Sequence, residues 1–545
     1  MGGTKHEIAA DTKAEPVELE LVEHAQPHKK TANFSMDDAA KLMAEAGHVE
    51  ATPEDRKRVL RLIDIYVCLP MCITYFAQQL DKSSLSYAAV FDLQTATGLH
   101  GTQYSWLSSI VYIAQLCLQP LSSYALIIFP IKYWVCFNFA GWSIMTICTA
   151  AAHNWSGLMA CRFLLGMFEA TILPAFIFLT QCWYTRREQA SRTIAYQIAN
   201  SCAAIIGPLM SYGIGHATAK IHAYQGIFLF IGCLSFAFVP LIFWMLPNSP
   251  VTAPFLKRGN DRVIAIERLR ENNTGTKSST WKWNQVWEVY RDPKTYLWAA
   301  MYICTSTPSG GFGTFGGLII KGFGFTSFKA ILMQCPTGVI AILTLIITGY
   351  LTTKLKVRWA VIACCAIPPI AGAVGLCRIP RTNTGALTAC YYVAQVLSGI
   401  QPLLYTWANS NAGGSTKRVV TFATMFVFQC AGNIIGPQVY FAREAPYYHT
   451  GLYVNIGCWS VLILLICIQR VYLGHLNKKQ AARRVAMGLP EELEDMSIMT
   501  YEEAQKYKEQ LTAQMAAAGL DIATLYENAF DDMTDFENPA FIYVL

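Results

Sequence analysis

The chain has 545 residues, 53% of them hydrophobic and only 14% charged, with a formal net charge of +6 and a mean hydropathy of +0.31. That is too apolar for an ordinary soluble domain of this length and reads as an all-α, polytopic membrane protein. No Walker lysine loop, HExxH, metal-spaced histidines or nucleophile elbow is present, so the enzyme classes they mark are set aside, and neither a cofactor, a metal nor nucleic acid is expected as a partner.

Residues 1–60 form a polar arm with no early apolar run of the kind a cleaved signal carries. The arm closes on Pro53-Glu-Asp-Arg-Lys-Arg-Val-Leu-Arg61, a basic flank ahead of a first helix expected near 62–90. Apolar runs of about 20 residues, the length that spans a bilayer, then place helices 2 to 6 near 103–125, 131–152, 156–182, 190–217 and 223–246. A polar loop over 247–293 follows, with Lys257, Arg258, Arg262, Arg268, Arg270, Lys277, Lys282 and Arg291. Helices 7 to 12 are expected near 294–320, 326–352, 357–377, 383–412, 418–442 and 449–473, and a charged tail covers 474–545. The layout is two six-helix halves, 61–246 and 294–473, joined by the basic loop.

Basic residues choose the inner side of a membrane. Arg186, Arg187, Lys354, Lys356, Arg358, Lys417, Arg418, Lys478 and Lys479 share the side of the central loop, which puts both termini in the cytoplasm. The sequon at Asn272 then lies inside and that at Asn154 lies against the outer surface, so neither is expected to carry a glycan. The 18 cysteines are scattered through apolar runs without metal spacing, and no disulfide framework is expected.

Ala204-Ile-Ile-Gly-Pro208 in helix 5 is echoed six helices later by Asn433-Ile-Ile-Gly-Pro437 in helix 11. Two halves related by an axis along the membrane normal give such a match, with a site between them near mid-membrane.

In helix 4, Arg162-Phe-Leu-Leu-Gly166-Met-Phe-Glu169 sets two charges on one face, seven residues or about 10 Å apart. Ionisable groups in hydrocarbon are costly and mark ion or substrate paths. Glu169 lies too deep to reach an interface and is the expected proton-coupling group. Arg162 is either its partner, a stem that reaches the outer interface, or a structural hydrogen-bond donor to a neighbouring helix. Helix 1 offers Tyr75, Gln78, Gln79, Asp81 and Lys82, with Lys82 at a depth similar to that of Arg162, so that two cations frame one anion-sized space; the alternatives are an Asp81–Lys82 environment that is merely structural, or a lysine at the outer interface. Helix 7, Thr305-Ser-Thr-Pro308-Ser-Gly310-Gly311-Phe-Gly313-Thr-Phe-Gly316-Gly317, is dense in breakers and reads either as an interrupted span lining a cavity or as a tight packing face. Trp407 and Asn409 in helix 10 and Gln429 and Asn433 in helix 11 complete the candidate substrate-binding set.

With these motifs, the chain resembles the major facilitator superfamily, and within it the fungal allantoate permease family of the anion:cation symporter branch. The resemblance rests on Asp81-Lys-Ser-Ser-Leu-x2-Ala88, Arg162-x3-Gly166-x2-Glu169, Trp183-Tyr-x3-Glu188-x3-Arg192, Leu246-Pro-x2-Pro250, Asp292-Pro-Lys-x-Tyr296, Trp407-x-Asn409-x-Asn411-x-Gly413-x2-Thr416-Lys-Arg418 and Gly432-Asn-Ile-Ile-Gly-Pro-Gln438. It implies a monomeric carrier in a fungal plasma membrane that imports a small organic anion, such as allantoate, ureidosuccinate or a related carboxylate, with protons. Glu169 would be the coupling carboxylate, Arg162 its helix 4 partner and Lys82 the helix 1 cation. An exporter of a secondary metabolite and a nutrient sensor that does not transport are the alternatives. The superfamily's acidic loop signature is missing from both Ser122-Ser-Tyr-Ala125 and Gly349-Tyr-Leu-Thr-Thr-Lys354, and Lys82 stands where relatives often carry arginine.

Overall fold

A computed structural model describes residues 52–487 apart from 218–220, 251, 258, 259, 271–280 and 356, together with 506, 507, 510, 512, 533–538 and 541–545. The expected arm up to residue 51, the Asn272 sequon with Lys277, and most of the tail lie outside these residues. Among the described residues all regular structure is helical. The twelve expected spans fall on twelve helical bodies, of which helices 1, 4, 5, 6, 8, 9, 11 and 12 are the eight long and apolar enough by length and composition to cross a membrane. Helices 2, 3, 7 and 10 carry Ser, Thr, Tyr, Trp or Gly that dilute their hydropathy.

The first half comprises helix 1 (Pro53–Ile63 continuing through Asp64–Cys68 and Leu69–Phe91), helix 2 (Gln103–Ile128), helix 3 (Ile131–Ala150), helix 4 (Trp155–Glu169, then Ile172–Trp183), helix 5 (Arg186–His216) and helix 6 (Ala223–Met245). Two short helices, Asp261–Arg270 and Trp283–Arg291, occupy the central loop. The second half comprises helix 7 (Pro293–Lys321), helix 8 (Ser327–Leu332, then Cys335–Leu355), helix 9 (Arg358–Arg378), helix 10 (Thr384–Ala394, Gln395–Gly399 and Ile400–Ser410), helix 11 (Ser415–Gln438) and helix 12 (His449–Ala486).

Proline explains where these helices change winding, because it offers no N–H to the carbonyl four residues back. Pro70 follows the π-turn Asp64–Cys68 in helix 1. Pro174 stands four residues after Ala170, at the turn that divides helix 4. Pro402 stands four residues after Ser398, inside the 3-10 turn Gln395–Gly399 of helix 10.

Packing repeats between the halves. Helix 1 packs on helix 5 as helix 7 does on helix 11, helix 3 on helix 6 as helix 9 on helix 12, and helix 2 on helix 4 as helix 8 on helix 10. The echoed glycines serve this symmetry. A Cβ on Gly207 would sit 3.0 Å from Leu80 and Tyr87 of helix 1, and one on Gly436 would run into the Thr307 carbonyl of helix 7. Ile-Ile-Gly-Pro is therefore the same packing device used once in each half.

Helix 7 corrects one of the two readings of its sequence. It is a continuous α-helix through Pro308 and its glycines. The glycines admit neighbours: a Cβ would meet Asn433 at Gly310, Tyr440 at Gly311, the Tyr391 hydroxyl at Gly316 and Val90 at Gly317. Close packing, rather than interruption, accounts for these four, while an added carbon on Gly313 would meet nothing within 4 Å. Helix 12 also runs past its expected end, to Ala486. The described cysteines are free thiols, and Asn154 caps helix 4 by accepting the Gly157 N–H at 2.8 Å.

The end of the bundle that carries the basic loops is laced by ion pairs. Arg192 clasps Asp64 at 2.8 Å, Arg268 holds Glu188 at 2.7 Å and Arg58 reaches Asp261 at 2.5 Å. Glu188 and Arg192, both in the family-like motif after helix 4, thus have structural partners. At the opposite end the halves are sewn together. The Tyr104 hydroxyl donates to the Thr314 carbonyl at 2.8 Å, Gln438 to Ser109 at 3.0 Å, Ser109 to the Ile434 carbonyl at 2.9 Å, and Lys321 and Ser327 to the Val90 carbonyl at 2.7 and 2.9 Å.

Candidate functional site

Helical spacing sets Tyr75, Gln78 and Lys82 on one face of helix 1. That face meets helix 4 at the residue where helix 4 turns, since Glu169 ends its first segment and Ala170 and Thr171 form the break. The Glu169 Oε1 accepts from the Gln78 amide at 2.6 Å and lies 2.9 Å from the Lys82 ammonium. Its other oxygen, Oε2, is buried without a hydrogen-bond partner among the described residues. The pair is asymmetric: the Glu169 side chain is 2% exposed and that of Lys82 is 36% exposed. Lys82 lies nine residues before the end of helix 1, on the face that meets helix 4. A carboxylate there is sheltered, whereas its cation is open to a second anion.

Asp81, the residue before Lys82, points about 100° further round helix 1. It is 3% exposed and its Oδ1 accepts from the Thr146 hydroxyl of helix 3 at 2.8 Å. Arg162, also 3% exposed, lays its guanidinium over the Phe228 ring of helix 6 at 5.2 Å. Its Nε and Nη2 are buried with no hydrogen-bond partner among the described residues. Unpaired guanidinium N–H groups are costly in a low-dielectric interior, and among the described residues it is packing on Phe228 that holds Arg162. Arg162 and Glu169 are both buried, as their shared face requires, but the cation in contact with Glu169 is Lys82.

The remaining candidates separate. Tyr75, 9% exposed, stacks on Tyr196 at 4.7 Å and tilts against Phe176 at 5.1 Å, close to the first-half cluster. Asn433 is 7% exposed, donates to the Gln429 carbonyl at 3.0 Å and packs on Gly310, while the Gln429 side chain is half-buried on the same helix. Trp407 is fully buried at the basic end, edge-on to Trp298 at 4.8 Å, with its indole N–H donated to the Val544 carbonyl at 2.8 Å. Asn409 is exposed at that same end. The structure therefore joins Gln78, Lys82 and Glu169, and it sets Trp407 and Asn409 apart from them. Thr146 and Phe228, which frame Asp81 and Arg162, were not picked out in the sequence. A threonine and a phenylalanine in apolar spans carry no signal of that role.

Residues 71–437 match the family described as Major Facilitator Superfamily. An uncharacterized transporter of Schizosaccharomyces pombe is 33% identical over 433 residues, which cover 79% of this chain and 82% of that protein. The allantoate permease of Saccharomyces cerevisiae is 27% identical over 555 residues, covering 98% and 95%. A thiamine pathway transporter of the same yeast is 28% identical over 473 residues, covering 85% and 87%. Among solved structures, an inward-facing bacterial homolog of the human lysosomal transporter Spinster aligns with a TM-score of 0.56 at 13% identity, over 74% of this chain and 96% of that one. A D-xylose-proton symporter aligns with a TM-score of 0.56 at 11% identity, over the same 74% and 96%. At such identities the structures share the fold.

Proposed function

Since the chain belongs to the major facilitator superfamily and is a membrane transporter rather than an enzyme, we propose that it imports a small organic anion together with protons, with Lys82 and Glu169 at the point of coupling. The observation that carries this reading is the asymmetric pair, a sheltered carboxylate 2.9 Å from a cation that is 36% exposed.

The chemistry follows from competition. An incoming carboxylate and Glu169 are rivals for one ammonium group. When the substrate takes Lys82, Glu169 is left buried with only Gln78 beside it, and a buried carboxylate without a cation takes up a proton. Anion and proton therefore load together, and leaving Lys82 reverses both. Asp81, shielded by Thr146 and close to Arg162, is a second buried carboxylate through which a further proton passes. Each pH unit contributes about 1.4 kcal/mol per proton. One proton with one monoanion moves no net charge, so a membrane potential, about 2.3 kcal/mol per charge per 100 mV, adds to uptake only when a second proton travels.

The fastening of the halves at the end opposite the basic loops fits a state open toward the basic side, the side read as cytoplasmic. The near full-length likeness to allantoate permease puts ureido-carboxylates first among substrates. The test is uptake of labelled allantoate, ureidosuccinate, nicotinate and pantothenate into proteoliposomes with an imposed acid-outside gradient. Accumulation of one of them that collapses with a protonophore is the expected result. Saturable binding without flux would replace the carrier by a sensor, and efflux driven by the gradient would reverse its direction.

A further inference from the structure

Residues 533–538 and 541–545 return to the basic end of the second half and are bound there side chain by side chain. Thr534 and Asp535 are fully buried, and Tyr543 and Val544 are 1% and 4% exposed. The Asp535 carboxylate receives Lys294 from the start of helix 7, Lys417 from the start of helix 11 at 2.8 Å, and the Tyr543 hydroxyl at 2.8 Å. Phe536 lies under both ammonium groups, 4.0 Å from that of Lys417 and 4.9 Å from that of Lys294.

The backbone is read as closely. Asn477 donates to the Tyr543 carbonyl and accepts its N–H, both at 2.8 Å. Asn411 does the same for Val544, at 3.0 and 2.8 Å, and the Trp407 indole adds a third bond to that residue. The Arg358 N–H donates to the Leu545 carbonyl at 3.0 Å, and Gln480 and Arg483 hold the Asp535 and Phe536 carbonyls at 2.9 and 2.7 Å. Paired amides on a peptide backbone, with one carboxylate in a basic pocket, are the chemistry of extended-peptide recognition.

Two features mark this segment as a ligand rather than a piece of core. Its partners all come from helices 7 and 9 to 12 or the turn between helices 10 and 11. Moreover, the two lysines keep carboxylates of their own without it: Asp292 lies 3.1 Å from Lys294 and 3.3 Å from Lys417, and Glu288 lies 2.7 Å from Lys417. Departure of the segment strands no cation. Trp407 and Asn411 lie beyond the 3-10 turn of helix 10, so the segment grips that helix on the far side of its break.

We propose that the basic end of the second half is a peptide-binding site whose resident ligand is this chain's own residues 533–545, a detachable clamp that ties the last segment of helix 10 to helices 7, 9, 11 and 12. It recognises an acidic, aromatic peptide through Asp535, Phe536 and the Tyr543 to Leu545 backbone.

The test uses the full chain with a protease site inserted between residues 512 and 533. After cleavage, the fragment should stay with the protein through washing and be displaced by excess synthetic peptide of sequence 533–545. A fluorescent copy of that peptide should then bind the stripped protein saturably, and bind at least tenfold more weakly when its Asp535 position is alanine. A fragment that leaves at once with no saturable rebinding, or one that excess peptide never displaces from folded protein, overturns the proposal. In the uncut chain, Asp535→Ala should speed hydrogen exchange at residues 543–545 and 411–413 at least tenfold, and unchanged exchange overturns it equally.

Discussion

Glu169→Gln changes one atom of the coupling pair and little else. Glutamine keeps the shape, and its carbonyl still accepts from Gln78, now 2.6 Å from Oε1. The lost ion pair joins a Lys82 side chain 36% exposed to a Glu169 side chain 2% exposed, so its loss falls between the ~1 kcal/mol of an exposed pair and the ~3–5 kcal/mol of a buried one. Against a total stability of about 5–15 kcal/mol, the variant should insert and fold with its melting temperature lowered by only a few degrees. Transport should change in kind. With two pH units across proteoliposomes and the potential clamped at zero, one coupled proton supplies about 2.8 kcal/mol, or a roughly hundredfold accumulation. The variant should equilibrate substrate near onefold while its counterflow persists, because Lys82 no longer has a rival for the anion. Hundredfold accumulation surviving in Glu169→Gln would refute the coupling role.

Lys82→Gln removes the exposed cation, and loss of a charge-assisted hydrogen bond of about 1.5–3 kcal/mol should raise the KM for counterflow by about ten- to a hundredfold, with Lys82→Arg restoring most of it. Gly436→Ala drives a methyl into the Thr307 carbonyl and to 2.9 Å from the Gly311 nitrogen, so overpacking should cost about 1–3 kcal/mol by thermal unfolding; Gly349→Ala, with nothing within 4 Å of the added carbon, should be neutral or mildly stabilising. Burial raises the Asp535 carboxyl, but Lys294 and Lys417 outweigh it and hold it below the usual carboxylate range. A depressed folded value contributes stability above the unfolded pKa of about 3.9 and loses it as pH falls through the folded value. Protection of residues 533–545 from hydrogen exchange, corrected for intrinsic rates, should therefore be flat from pH 8 to 5. A midpoint near pH 6 would assign the docking to another group.

The order of the helices was legible because apolar runs of bilayer length leave little else for the chain to do, and Glu169 stood out because a carboxylate in such a run has few ordinary explanations. The helix 7 glycines were ambiguous for a physical reason. Glycine admits both a broken backbone and a close neighbour, and only Asn433, Tyr440 and Tyr391, far off in sequence, decide for the neighbour. The break at Glu169 was not legible, because Pro174 lies beside it whereas Pro308 sits inside an unbroken helix 7. Trp407 looked like a substrate residue because its partner, the Val544 carbonyl, lies 137 residues away in Phe541-Ile-Tyr-Val-Leu545, an apolar run at the end of a charged tail and far too short to read as a span.

The seam opposite the basic loops is made of neutral hydroxyls and amides, with Lys321 its one charged donor, and several of its acceptors are main-chain carbonyls. Each such bond is worth about 1 kcal/mol net, so the whole seam holds a few kcal/mol, the same scale as a proton falling through two pH units. A seam of salt bridges would lock, and one of apolar contacts alone would slide. On the proposed proton-driven import, a fastening matched to its driving force would let one turnover's worth of gradient unzip it and ordinary thermal motion close it again, so that the resting population of each state would be sensitive to single substitutions along Tyr104, Ser109 and Gln438.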